Sequence, residues 1–107
     1  MRAEAAARRT ASFLDEARRR AVLEHRVLVV ACRPEEGSLA LLGGAAGERT
    51  FRVPDAVAIV SCRPAEVRYF PQGSATGMTL LLRDRSGRER RLSVGTFTGL
   101  SRVAAAR

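Results

Sequence analysis

One feature constrains the fold more than any other. A long uninterrupted helical segment stands in front of a chain that Pro and Gly divide into short strands. Residues 3 to 25 are dominated by Ala, Leu, Glu and Arg, with no Gly or Pro among them. That composition predicts a single amphipathic helix. Ala3, Ala7, Thr10, Leu14, Ala17 and Ala21 recur at spacings of four and three, which places them on one stripe, with Phe13 at its flank. Arg8, Arg9, Asp15, Glu16, Arg19 and Arg20 fall mostly on the other faces, where Asp15–Arg19 and Glu16–Arg20 are spaced as supporting i,i+4 pairs. A stripe of small residues allows close approach to a sheet or to another helix. Met1 and Arg2 are poor N-caps, so the segment reads as a helix cut in its middle.

The remainder reads as strands. Arg26–Cys32 is a continuous β-branched run, expected to be buried on both faces and ended by Pro34. Ser38–Leu42 returns after the Glu35-Glu36-Gly37 turn to make a hairpin. Residues 43–47 form a Gly-rich loop. Thr50–Val53 and Val57–Cys62 follow, the latter ended by Pro64. Glu66–Phe70 alternates, Met78–Leu82 is a buried strand, and Ser86-Gly87 turns the chain into Glu89–Val94. Thr98-Gly99 is a final turn.

At 107 residues the chain is one domain with a modest core, and 46% hydrophobic residues suit a globule. Net charge is +8, and all 19 basic residues are Arg. Such a surface is either solvated decoration or a contact for nucleic acid, anionic lipid or an acidic partner. No run approaches the roughly 20 apolar residues that span a bilayer, and Met1-Arg2-Ala3-Glu4 does not read as the start of a signal peptide. The chain as given is expected to be soluble, or to be the soluble piece of a longer protein. Val30-Ala31-Cys32-Arg33-Pro34 is echoed by Val60-Ser61-Cys62-Arg63-Pro64, which sets both cysteines at equivalent strand ends. They are a possible disulfide or two buried thiols; a bond closing that loop contributes about 3 to 4 kcal/mol in the chain-entropy picture. Two Cys and the lone His25 match no zinc spacing, so neither metal nor cofactor is expected.

The stretch Glu66–Gly99 carries a recognisable pattern. Val67, Tyr69-Phe70-Pro71, Gly73, Ala75 and Gly77 precede a Leu-rich strand, an Arg-rich turn, then Leu92-Ser93-Val94 and Thr98-Gly99. This resembles the C-terminal half of GspH/FimT-type minor pseudopilins. The helix from Ala6 to Leu23 resembles the segment that follows their membrane anchor. The resemblance implies an α+β, pilin-like fold: residues 1–25 as the C-terminal half of the pilin helix, packed on antiparallel sheets built from residues 26–107. It also implies an assembly protein, anchored in the bacterial inner membrane by a helix missing here, with its globular domain in the periplasm. Its partners would be other pseudopilins or pilins in a filament, and secreted substrate. In that role Ala7, Leu14, Ala17 and Ala21 are the candidate helix-packing positions. The family's cleavage motif and hydrophobic half-helix do not appear, and Gly99-Leu100-Ser101-Arg102 stands where relatives often carry Gly-Arg.

Some FimT-like members are linked to DNA uptake. Arg83, Arg85, Arg88, Arg90 and Arg91 cluster about one hairpin, offset only by Asp84 and Glu89, with Arg102 and Arg107 beyond. Arg83, Arg85, Arg88, Arg90, Arg91 and Arg102 are the candidate DNA- or partner-binding residues; they would hold phosphates without reading sequence. Strand alternation, however, separates Arg88 and Arg90 from Arg91. Catalysis is not expected: there is one His, no carboxylate cluster and no nucleophile motif, and Ser74 and Ser86 sit in loops. The expected core is Leu14, Ala17, Val27, Val29, Ile59, Phe70, Leu80, Leu82, Leu92 and Val94.

Overall fold

The structure, a computed structural model, describes residues 2–105. Helix α1 spans Ala3–Glu24. The strands are β1 (Leu28–Arg33), β2 (Ser38–Leu42), β3 (Arg49–Arg52), β4 (Val57–Arg63), β5 (Glu66–Tyr69), β6 (Met78–Asp84), β7 (Glu89–Val94) and β8 (Ser101–Ala105), with a short 3₁₀ turn, Pro34–Glu36, after β1. They form two antiparallel four-stranded sheets, ordered β3-β2-β1-β5 and β4-β6-β7-β8. Helix α1 packs on both, against β6, β7 and β8 of the second sheet and β1 and β5 of the first. The fold is thus α+β, as the sequence pattern implies.

All six stripe residues, and Ala6 beside them, are buried. Each Ala methyl contributes only about 0.8 kcal/mol on burial, so the stripe's value lies in letting helix and sheets approach closely around Leu14. Phe13, on the flank, stacks on Phe51 of β3 with ring centroids 5.3 Å apart, tying α1 to the edge of the first sheet. The core continues through Leu28, Val30, Leu39, Leu41, Val67, Tyr69, Leu80, Leu82 and Leu92.

Five expectations are corrected. Strand β1 is not buried on both faces: it alternates between buried and half-buried residues. Leu28 and Val30 turn inward, Val29 is half-buried and Val27 lies exposed before the strand. The run Val27–Val30 is apolar throughout, so its composition does not mark the inner face; pairing with β2 and β5 does. In the same way Tyr69 is fully buried where Phe70 was expected, and Phe70 is half-buried. A further strand, β8, follows the Thr98-Gly99 turn. Finally, the helix start is capped after all: the Ala3 N–H donates to the Asp84 carboxylate at 3.0 Å, from 81 residues away. Asp15 does not bond to Arg19; its carboxylate instead accepts the Ser101 N–H at 3.0 Å.

Candidate functional site

The turn between β6 and β7 is built on Asp84. One carboxylate oxygen accepts the Ser86 N–H (3.0 Å), the Ser86 hydroxyl (2.6 Å) and the Arg88 N–H (3.1 Å), while the other takes the Ala3 N–H. Donors on both oxygens favour the charged form. The Ser86 hydroxyl, then the Ala3 N–H, hold the carboxyl well below its usual range, at about 2. Ser86 is therefore a turn residue bonded to a carboxylate. His25 occupies the left-handed C-cap of α1, far along the helix from that turn.

The arginines of this hairpin do not form one patch. On β6 and β7 the inner face is Met78, Leu80, Leu82 and Asp84 opposite Arg90, Leu92 and Val94. Arg90 is half-buried and its guanidinium lies 3.8 Å from Glu4 of α1. Arg83, Arg91 and Arg102 fall on the outer face of the same sheet. Arg83 is ion-paired with Glu89. Arg91 and Arg102 are exposed and, among the described residues, make no ion pair. Arg85 and Arg88 sit at the turn itself, where they line a cleft with Arg2, Ala56, Asp84 and Ser86. The six candidates thus divide three ways, because strand pleating sends neighbours to opposite faces. Arg107 lies outside the described residues.

Ala7, Leu14, Ala17 and Ala21 are fully buried against the protein's own sheets. They are not available to a neighbouring helix, so the stripe serves the internal core. Cys32 and Cys62 are brought together as a disulfide with Cα atoms 6.4 Å apart, linking β1 of one sheet to β4 of the other. The strand-end echo in the sequence is what puts them at corresponding places.

A second surface was not anticipated. The β7–β8 loop is held at nearly every residue. Gly95 N–H donates to Leu100 O and Gly99 N–H to Gly95 O, while Thr96 O accepts from Ala75 N–H. The Arg18 Nε–H is shared between Gly73 O (3.0 Å) and Thr98 O (2.6 Å). At the crest of this fixed loop Phe97 is 92% exposed, with Leu100 half exposed beside it. An aromatic between two threonines and a glycine was the available signal. Beneath, Tyr69 is fully buried with its hydroxyl unpartnered among the described residues; burial, then the Asp15 carboxylate, raises its pKa above the usual phenol value. Among the described residues no three His, Cys, Asp or Glu side chains come together as a metal site.

Comparison with known proteins places this geometry. The sequence-family model for type II transport protein GspH matches residues 6–99. No curated protein matches by sequence. Among solved structures, the chain is similar to the minor pseudopilin EpsH from the type 2 secretion system of Vibrio cholerae, at 15% identity and TM-score 0.77, covering 98% of each chain. It is also similar to the type IV minor pilin FimU of Pseudomonas aeruginosa, at 17% identity and TM-score 0.71, covering 94% of this chain and 91% of that one.

Proposed function

The chain belongs to the GspH family of minor pseudopilins, and we propose that it is a structural subunit at or near the tip of the pseudopilus of a type II protein secretion system. Members of the family are structural proteins rather than enzymes, assemble with other pseudopilins in a filament, and are generally anchored in the inner membrane with a periplasmic domain. No described helix of this chain is long and apolar enough to cross a membrane. In the proposed role the anchor precedes Arg2, the domain is periplasmic, and the Cys32–Cys62 bond forms in that oxidising compartment.

The observation that carries the proposal is the family match across residues 6–99, the stretch that supplies both the helix and the braced loop. The buried Ala stripe leaves subunit contact to loops and sheet faces. The best anchor among them is Phe97, a large apolar side chain presented on a loop whose order is already fixed, so that little freedom is lost on docking. The test is genetic and chemical together. Deleting the gene stops secretion, and restoring it with a photo-crosslinker at residue 97 gives adducts with other pseudopilins. Loss of pilus-dependent motility with secretion intact would reassign the chain to a type IV pilus.

A second reading, a FimT-like pilin binding DNA without sequence preference, is favoured by Arg91 and Arg102 on the outer sheet face, which make no ion pair among the described residues. A retardation assay over a salt series decides it: a shift at low salt that weakens in R91Q/R102Q supports it, and no shift removes it.

A further inference from the structure

The cleft beside the β6–β7 turn has a charge balance that the proposed assembly role does not use. Arg2, Arg85 and Arg88 line it together with Asp84 and Ser86. None of the three arginines makes an ion pair among the described residues. The nearby carboxylates are both engaged. Asp84 is held by one hydroxyl and three backbone N–H groups, and Glu4, which borders the adjoining hollow, lies 2.9 Å from Arg8 and 3.8 Å from Arg90. Three unpaired guanidiniums therefore share a hollow with one carboxylate whose oxygens already have donors. The complement of that arrangement is an anion with several oxygens, since a guanidinium fork matches phosphate geometry.

We propose that this cleft docks on the phosphate head groups of anionic phospholipid, holding the domain against the membrane surface. It lies at the N-terminal end of α1, bordered by Arg2. This inference rests on the proposal that the family's inner-membrane anchor precedes Arg2, which puts the cleft at the bilayer end of the domain. The occupant is a lipid surface rather than a duplex, because the arginines gather on one hollow at a hairpin tip; a duplex is met by cations spread along a face, and those are Arg91 and Arg102. The attraction is of ordinary surface type, screened by salt within roughly 8 Å at physiological ionic strength.

The test is flotation of the purified chain with vesicles of phosphatidylglycerol in phosphatidylcholine, against phosphatidylcholine alone. Binding to the anionic vesicles only is expected. R85Q/R88Q lowers that affinity about tenfold. R91Q/R102Q removes the same charge from the sheet face and leaves it within about twofold. Arg2→Gln, outside the turn, weakens binding in the same direction as R85Q/R88Q, so a disturbed hairpin is not mistaken for a lost contact; unchanged thermal melts of all variants confirm the fold. Equal losses for the two double variants would mean attraction by net charge alone and overturn the proposal. So would no binding to anionic vesicles, or loss of DNA retardation rather than vesicle binding in R85Q/R88Q. The assay uses no partner subunit. Failed secretion complementation with intact vesicle binding breaks the pseudopilus proposal alone, and the converse breaks only this one.

Discussion

Helix α1 is fastened twice to the far end of the chain, and the two fastenings work in opposite ways. At its start, a carboxylate on the sheet gathers donors: Asp84 takes the Ala3 N–H and, with its other oxygen, closes its own hairpin turn. In its middle, helix side chains order loops that belong elsewhere: Arg18 donates to Gly73 O and Thr98 O, and Asp15 accepts from Ser101 N–H. The first arrangement satisfies the ends of two elements. The second fixes a surface, because the loop it holds carries Phe97 into solvent.

The largest expected effect falls on the second fastening. Gly99 has φ +66°, and a Cβ there would collide with the Gly73 carbonyl oxygen, one of the two acceptors of Arg18. Gly99→Ala should cost about 3 kcal/mol in urea unfolding; a cost below about 1 kcal/mol would show that the two loops are not packed as described. Arg18→Met keeps much of the apolar stem and removes the charged donor. It should cost about 2 kcal/mol and speed amide exchange at Gly99 and Ser101 while leaving Ser86 and Arg88 protected. If exchange rises equally at both ends, the fastenings are not separate.

Asp84→Asn acts on the other end and in a pH-dependent way. The folded carboxyl, at about 2, lies below the ordinary aspartate value of 3.8, so its contribution is fully present above about pH 4 and is lost as pH falls toward 2. The variant should melt at lower temperature than the parent at pH 6, with the gap closing between pH 4 and 2. A gap that persists unchanged to pH 2 would mean the carboxylate charge is not what matters. The smallest effect on stability belongs to Phe97→Ser, within about 0.5 kcal/mol, together with a clear loss of adducts to other pseudopilins. Unchanged adducts would leave the braced loop without its proposed purpose.

These two fastenings also divide what the sequence made legible from what it did not. The helix and its stripe were readable because period and composition agree over six positions. Seven strands were readable because Pro and Gly punctuate them. Strand β8 was not: Ser101-Arg102-Val103-Ala104-Ala105 has one β-branched residue and gains its place by pairing with β7. The inner face of β1 was misjudged where every residue is apolar. The helix cap escaped because its oxygen comes from 81 residues away, although Asp84-Arg85-Ser86-Gly87 did read as a turn. The arginine cluster looked continuous along the chain and is divided by pleating, a consequence that alternation already hinted at for Arg90 and Arg91.

Because one carboxylate serves both the helix start and the last hairpin but one, the order of folding is constrained. A chain emerging N-terminus first presents α1 early, with its first N–H groups open to water and its Ala stripe without a sheet. Neither is completed until β6–β8 have formed, since Asp84 and the β7 and β8 partners of the stripe lie in the final third. Contacts of that sequence separation must overcome a large loop-closure entropy before they stabilise anything. The domain is therefore expected to fold as a single cooperative event late in synthesis, and a truncation before Ser101 should leave an unfolded chain rather than a smaller domain.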